Sequence, residues 1–119
     1  MTESQANLEI RNQDGISIVE FRDRKILEEL TINQIGEQLS ELADSAPSPK
    51  ILLDFKNVEH LSSAALGMLI TLSKQLEERQ GKMVLANINP QIYEVFRITR
   101  LNKLFNIQSS TEDALSALS

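Results

Sequence analysis

The sequence predicts an α/β protein built on a mixed β-sheet, and three observations support this prediction. Segments with the patterns of strands and of helices alternate along the chain in the order β β α β α β α β α. Two of the strand segments are apolar without alternation, which is typical of strands that are covered on both faces. The 119 residues include 41% apolar and 24% charged side chains, which is the composition of one globular domain. We therefore expect a single domain over residues 1–119, with about five strands and four helices.

The chain is expected to begin with a β-hairpin. The dipeptide Asp14–Gly15 suits the positive φ angles of a two-residue turn, and apolar residues nearly alternate on both sides of it. These apolar positions are Leu8, Ile10, Ile16, Ile18 and Phe21. The pattern indicates two antiparallel strands.

Each of the four predicted helices begins at a residue that suits a helix N-terminus. The starts are Thr31 with Gln34 at capping-box spacing, Ser62–Ser63, Asn89 with Pro90 after it, and Ser110 with Asp113. The segment Ala46–Pro49 should end the first helix, and Gly81 should end the second in the left-handed conformation. Apolar periodicity predicts an inward face on each helix. The residues on these faces are Ile32, Ile35, Leu39 and Leu42; Leu66, Leu69, Ile70, Leu72, Ser73 and Leu76; Ile92, Val95, Phe96 and Thr99; and Leu115 and Leu118.

Three further strands are predicted between the helices. Ile51–Phe55 is the expected central strand, Lys82–Ile88 is a second buried strand, and Phe105–Gln108 is a candidate edge strand. The crossovers between parallel strands should be right-handed.

Charge and composition exclude several classes of function. Seventeen acidic against twelve basic residues give a formal charge of −5, so the broad positive field of a protein that binds nucleic acid or anionic membranes is missing. The absence of cysteine excludes disulfides, thiol catalysis and thiolate metal sites. No apolar stretch approaches the roughly 20 residues of a membrane helix, and the N-terminus lacks a signal peptide's apolar core. We expect a cytoplasmic protein without nucleic-acid or membrane partners.

The junction from the central strand into the second helix, Asp54 to Gly67, is the most informative segment. In α/β sheets, ligands and reactive groups collect beyond the carboxyl ends of strands. Ser62 and Ser63 lie where unpaired amides and the positive end of the helix dipole would accept a phosphate. Phosphorylation there should leave the helix intact and add a charge of about −1.5 to −2, which would repel or desolvate a docked partner. On spacing alone, the interpretation that one serine is simply an N-cap is favoured.

The same segment does not indicate a catalytic or metal site. The only histidine, His60, is too near the serines in sequence to be presumed aligned as a general base. Asp54, Glu59 and His60 offer one nitrogen ligand without a recognised metal-ligand spacing. A phospho-acceptor role for Asp54, as in response-regulator receivers, would need further acids after the first strand, and Phe21–Arg24 provides one acid between two bases. We expect Asp54 to cap the following turn, and we predict no enzyme, no metal and no cofactor.

Residues 54–67, DFKNVEHLSSAALG, resemble the signature of STAS domains, specifically of bacterial anti-sigma-factor antagonists. The similarity continues through Gly81–Leu85. It extends through Pro90–Phe105, where the spacing of Val95–Phe96 and Leu101–Phe105 is similar to the end region of the family. The resemblance thus covers nearly the whole chain.

The resemblance implies a STAS-like fold and a partner switch. In such families the unphosphorylated antagonist binds an anti-sigma factor that is also a serine kinase, and this frees the sigma factor. The kinase uses ATP and Mg²⁺ to phosphorylate the antagonist, which then dissociates, and a serine phosphatase resets it. The antagonist is a substrate and a binder without catalytic residues of its own.

The signature departs from common family forms around the phosphorylation site. Where a common form has Asp-Ser-Ser or Asp-Ser-Thr followed by Gly, a gapless match places Ser62 on the aspartate, Ser63 on the first hydroxyl, Ala64 on the second and Ala65 on the glycine. Other members carry Ser-Ser-Ala-Gly, in which the second serine is taken as the acceptor, and that serine corresponds to Ser63. The resemblance therefore implies phosphorylation at Ser63, with Ser62 as the reserve site.

The predicted partner surface lies at one end of the sheet. It comprises Glu28, Asn57, His60, Leu61, Ser62, Ser63 and Asn87. Two other functions stay open: a constitutive STAS scaffold that is never phosphorylated, which Ala64 and Ala65 suggest, and a small nucleotide-binding protein or enzyme that uses the surface of the serines and His60. The sequence indicates neither the sigma factor and pathway nor the oligomeric state.

Overall fold

The computed structural model describes residues 7–119, which form an α/β fold with four helices and a five-stranded mixed sheet. This confirms the predicted fold class. The strands are β1 Leu8–Gln13, β2 Ile16–Phe21, β3 Lys25–Ile26, β4 Lys50–Asp54, β5 His60–Leu61, β6 Lys82–Ala86 and β7 Asn106–Gln108. The helices are α1 Glu29–Asp44, α2 Ser63–Glu78, α3 Pro90–Ile98 and α4 Thr111–Leu118, with a 3₁₀ turn at Leu101–Lys103.

The main sheet has the strand order β1-β2-β4-β6-β7. The β1–β2 pair is antiparallel and the other three pairs are parallel. The hairpin turn contains Asp14 and Gly15 with φ of 53° and 81°, as the type I′ turn of a two-residue loop requires. The predicted hairpin is therefore confirmed.

Helices cover both faces of the sheet, which explains the apolar strand β4. Leu53 belongs to the larger core cluster, which includes residues of α1, α2 and α3. Leu52 belongs to a second cluster with Ala114 and Leu118 of α4. Because neighbouring residues of a strand point to opposite faces, a strand between two helical layers needs apolar residues at every position.

A second, two-stranded sheet was not predicted. The strands β3 and β5 pair in parallel, with Lys25 opposite His60 and Ile26 opposite Leu61. Two residues are too few to show the alternation that identifies a strand. This small sheet brings the segment before α1 against the segment before α2.

The predicted start of the first helix was wrong. Helix α1 begins at Glu29, and Thr31 lies inside its first turn. The extended residue Glu28 is the N-cap, and its carbonyl accepts a hydrogen bond from Ile32 N at 2.9 Å, while its side chain makes no cap bond. The chain passes directly from β3 into the helix, so backbone geometry rather than a hydroxyl sets the start.

The predicted left-handed cap at Gly81 was also wrong by one residue. Gln80 has the positive φ, 58°, and Gly81 N donates to Leu76 O at 2.7 Å. Together with the bond from Gln80 N to Glu77 O, this is a Schellman motif. Gly81 is needed for space, because a Cβ there would lie 2.5 Å from Pro49 O.

The inward faces of the helices are narrower than predicted. On α3, Ile92 and Phe96 are buried, but Val95 is 45% exposed and Thr99 is an exposed C-cap residue. Thr99 lies beyond the last residue of the nine-residue helix, and the buried face of α3 is limited to Ile92 and Phe96, one turn apart. The remaining predicted inward residues that are only half-buried are Leu42, Ile70, Ser73 and Leu115.

Other predicted boundaries agree closely with the structure. Asn89 and Ser110 cap α3 and α4 by accepting from Ile92 N at 2.8 Å and Asp113 N at 3.1 Å. Strand β6 ends at Ala86 rather than Ile88, because Asn87 is left-handed with φ of 61°.

Within residues 7–119, no helix has both the length and the apolar content needed to cross a membrane.

Two glycine substitutions should have opposite effects on stability. Gly81→Ala should lower the free energy of unfolding by about 1–3 kcal/mol, because the added methyl group meets the Pro49 backbone. Gly67→Ala should raise it by about 0.5–1 kcal/mol, because Gly67 lies inside α2 and a Cβ there meets nothing within 4 Å. Urea unfolding of both variants checks this pair, and a Gly81→Ala protein as stable as wild type would contradict the packing described.

Candidate functional site

The candidate site lies at the carboxyl end of the parallel strands. Strand β4 ends at Asp54 and β6 ends at Ala86, and the three helices α1, α2 and α3 all begin at this end. Helix N-termini carry unpaired amides and the positive end of the helix dipole. The predicted site residues lie in the loops and helix starts at this end.

Ser62 is the N-cap of α2, and both its hydroxyl and its amide are engaged. Its backbone is extended, with φ of −88° and ψ of 167°. Its Oγ accepts a hydrogen bond from Ala65 N at 3.2 Å, and its own N–H donates to Ile26 O at 3.1 Å. The interpretation of one serine as an N-cap is thus correct for Ser62.

Ser63 is the first residue of α2, and its side chain is exposed. Its hydroxyl makes no hydrogen bond to any of the residues 7–119. The first turn of α2 contains no acidic residue, so its positive N-terminus is not neutralised from within the helix. A phosphate on Ser63 would meet open solvent and a favourable helix dipole.

The small sheet holds the segment before Ser62 in place. Arg24 O accepts hydrogen bonds from Glu59 N at 2.7 Å and from His60 N at 3.1 Å. The pairing places Ile26 opposite Leu61, and Ser62 N donates to Ile26 O at 3.1 Å, so the start of α2 lies against the end of β3. The exposed Glu28 follows Ile26 by two residues and is the N-cap of α1. Four of the predicted surface residues are consecutive at the start of α2: His60, Leu61, Ser62 and Ser63.

Asn57 and Asn87 have internal roles. Asn57 Nδ2 donates to Glu20 Oε2 at 2.9 Å and to Phe21 O at 3.2 Å. Asn87 Nδ2 donates to Asp54 Oδ1 at 2.9 Å and to Thr111 Oγ1 at 3.0 Å. Both amides hold strand ends together, and neither contacts the serines.

Asp54 is a structural carboxylate, as predicted. It is 2% exposed, and its Oδ1 accepts from Lys56 N at 3.0 Å, which fixes the turn after β4. The ammonium of Lys56 lies 4.0 Å from Oδ2. Buried carboxylates need such partners because an unpaired charge in the interior is costly.

A groove beside the serines was not predicted from the sequence. A cavity of about 150 Å³ separates β5 and the start of α2 from α3, and its lining includes His60, Leu61, Leu66 and Val95. Ile98, on the same helix as Val95, is 68% exposed. Ile98 does not line the groove, but it adds exposed apolar area to the same helix. The lining includes Leu61, two residues before Ser63 in the chain, so the groove offers apolar contact area near the start of α2.

The charges on α3 are paired with each other. Arg97 Nε donates to Glu94 Oε1 at 3.0 Å, and this hydrogen bond lowers the pKa of the Glu94 carboxyl. Within residues 7–119, no group of three or more histidine, aspartate or glutamate side chains could hold a metal ion. This end of the sheet therefore offers three chemical features: the exposed Ser63 hydroxyl, the N-terminus of α2, and the apolar groove.

Serine substitutions should separate the structural residue from the exposed one. Ser62→Ala should lower the free energy of unfolding by about 1 kcal/mol, because Ala65 N loses its cap. Ser63→Ala should change it by less than about 0.5 kcal/mol, since no described contact is lost. Thermal or urea unfolding measures both values, and equal losses would show that the two serines had been assigned incorrectly.

Comparisons with known proteins agree on one family. The STAS domain model matches residues 7–114. BtrV of Bordetella bronchiseptica, described as a candidate anti-sigma factor antagonist, is 31% identical over 84 residues, which cover 71% of this chain and 72% of BtrV.

Two solved structures share the fold. An anti-sigma-factor antagonist (STAS) domain protein from Planctomyces limnophilus superposes with a TM-score of 0.85 at 22% identity, covering 97% of this chain and 99% of that one. The Bacillus cell fate determinant SpoIIAA in its phosphorylated form gives 0.70 at 16% identity, covering 94% and 99%. The chain belongs to the STAS domain family.

Proposed function

We propose that this chain is an anti-sigma factor antagonist whose binding to an anti-sigma factor is switched by phosphorylation of Ser63. The observation that carries the proposal is the contrast at the start of α2, where Ser62 is engaged in the fold and the Ser63 side chain is exposed. The names of relatives in the same family support the general role. The phosphorylated form of SpoIIAA supports the chemistry by analogy.

The partner would dock on the surface that surrounds Ser63. His60 and Leu61 precede the serine in the chain, the exposed Glu28 is the proposed third contact, and the groove towards Val95 would supply apolar area. Asn57 and Asn87 contribute by fixing the strand ends beneath this surface, rather than by free amide donors. An interface of this kind buries apolar contacts around a polar position that becomes charged on modification.

The switch would act by charge without unfolding. An anti-sigma factor with serine kinase activity transfers the γ-phosphoryl group of ATP to Ser63 Oγ, the hydroxyl loses its proton, and ADP leaves. The product carries about −1.5 to −2 additional charges at a helix N-terminus, where the dipole stabilises them. A partner surface packed against the serine would have to desolvate this charge, and the complex would dissociate. A serine phosphatase restores the hydroxyl.

We further propose that the chain has no catalytic activity of its own. In the part of the chain that the structure describes, no base makes a hydrogen bond to the Ser63 hydroxyl, and the exposed His60 bonds to neither serine. Nucleophilic catalysis needs that contact and a third group to orient the base. The role would be played in the cytoplasm, where sigma factors act.

A constitutive STAS interaction module is the second candidate. Ala64 removes one hydroxyl that common family forms carry, and the buried Ala65 replaces a glycine at the helix start. In that case partner binding would use the same surface but would not respond to kinases. Protein isolated from cells under several growth conditions would then carry no phosphate.

Phosphate mapping tests the proposal directly. Incubation with the anti-sigma factor kinase of the same genome, ATP and Mg²⁺ should place one phosphate on Ser63, which mass spectrometry can locate. Ser63→Ala should abolish the label, and Ser109→Ala should keep it, because Ser109 is another exposed serine. Ser63→Asp should weaken partner binding roughly tenfold or more, since the carboxylate imitates part of the phosphate charge.

Two outcomes would contradict the proposal. Label on another residue, unaffected by Ser63→Ala, would reject the assigned site. Binding of Ser63→Asp with wild-type affinity, together with the absence of label, would favour the constitutive module.

A further inference from the structure

Strand β1 forms one edge of the main sheet. Among residues 7–119, this six-residue strand pairs only with β2, whereas β7 at the opposite edge has three residues. The residues from Glu9 to Gln13 are all exposed, including Ile10 at 42%, so no helix of the described chain covers this strand. Straight strand edges without proline or a bulge are templates for a further strand.

The hairpin determines which backbone groups of β1 are free. In an antiparallel pair, alternate residues exchange hydrogen bonds with the neighbouring strand. Asn7 is in a hydrogen-bonded pair with Arg22, because Arg22 N donates to Asn7 O at 3.0 Å. Given the two-residue turn and the register of the hairpin, the odd-numbered residues of 7–13 are therefore the ones that bond to β2. The even-numbered residues Leu8, Ile10 and Asn12 therefore direct their N–H and C=O groups away from the sheet.

The side chains of β1 are complementary to a second copy of the same strand. Consider two β1 strands that pair antiparallel about a two-fold axis at Ile10. Each Ile10 then lies opposite Ile10 of the second chain, and each Glu9 lies opposite Arg11 of the second chain. All outward-facing backbone groups are then paired. Glu9 and Arg11 occupy the non-hydrogen-bonded positions, where opposite side chains approach most closely.

Neighbouring registers are excluded by charge. An axis at Glu9 would place two carboxylates directly opposite each other, and an axis at Arg11 would do the same with two guanidinium groups. Like charges in opposite positions destabilise a strand pair. The alternation of Glu9, Ile10 and Arg11 thus favours one symmetric arrangement.

The two charged groups are available for this contact. Within residues 7–119, no carboxylate lies within 4.0 Å of the Arg11 guanidinium. Glu9 Oε1 accepts from Arg22 Nη1 at 2.6 Å, which leaves the second carboxylate oxygen for another donor.

We propose that this chain forms a weak two-fold dimer through antiparallel pairing of β1 strands centred on Ile10. The pairing would join two five-stranded sheets into one continuous sheet. The dimer is weak because a few edge hydrogen bonds and two ion pairs must outweigh the entropy lost on association. It does not depend on Ser63 or on any partner switch.

Charge-reversal variants test the register by sedimentation equilibrium at concentrations up to about 1 mM. Arg11→Glu and Glu9→Arg should each weaken self-association by about tenfold or more, because both ion pairs become repulsive. An equimolar mixture of the two variants should associate more tightly than either alone, since every acidic position then faces a basic one. Lys103→Glu, which lies before β7 at the opposite edge, is the control and should associate like wild type.

A backbone variant provides a second test. Ile10→Pro removes an outward-facing N–H without removing a bond to β2, so the protein should stay folded by circular dichroism and become monomeric. In wild type, the amides of Leu8, Ile10 and Asn12 should show hydrogen-exchange protection that rises with protein concentration. A monomeric wild-type protein at about 1 mM would overturn the proposal, and so would a dimer that neither Arg11→Glu nor Ile10→Pro weakens.

Discussion

Two hydrogen bonds of Ser62 hold the candidate site together. Its N–H donates to Ile26 O, which ties the start of α2 to the small sheet, and its Oγ accepts from Ala65 N, which closes the first turn of the helix. With Ser62 fixed at both points, the next residue begins the helix at the surface, and its hydroxyl has no partner in the described chain. A residue that is positioned by the fold but not used by it can be modified without loss of structure.

In the proposed switch, the residues that stabilise the fold are separate from the residue that is modified. The packed layers of the fold, with β4 between α1–α3 and α4, lie beneath the site and do not include the Ser63 side chain. Added negative charge at the helix N-terminus is favourable for the helix and unfavourable for a partner that must exclude water there. Asp54, Asn57 and Asn87 tie the neighbouring strand ends together by hydrogen bonds, and none of these bonds involves Ser63.

Much of the fold was predictable because its signals are local. The Asp14–Gly15 turn and the cap at Asn89 each depend on a few neighbouring residues, and both were confirmed. Hydrophobic periodicity located the four helices but predicted a wider inward face than α3 has. The β3–β5 pair depends on a contact between distant segments, which a single sequence does not reveal. The start of α1 was misplaced because Glu28 caps the helix through its backbone and not through its side chain. The left-handed residue was misplaced because Gly81 is required by its contact with Pro49, while Gln80 has the positive φ. The groove was missed because residues of β5, α2 and α3 line it together, and Val95 was predicted to face inward.

Phosphate on Ser63 is proposed to change the surface charge and to leave the fold intact. ¹H–¹⁵N spectra of the unmodified chain and of the chain phosphorylated at Ser63 test this proposal. Chemical-shift changes should be confined to the start of α2, the β3–β5 pair and the start of α1, and the amides of β2, β4 and β6 should be unchanged. Widespread shifts through these central strands, or loss of the α2 signals, would contradict it.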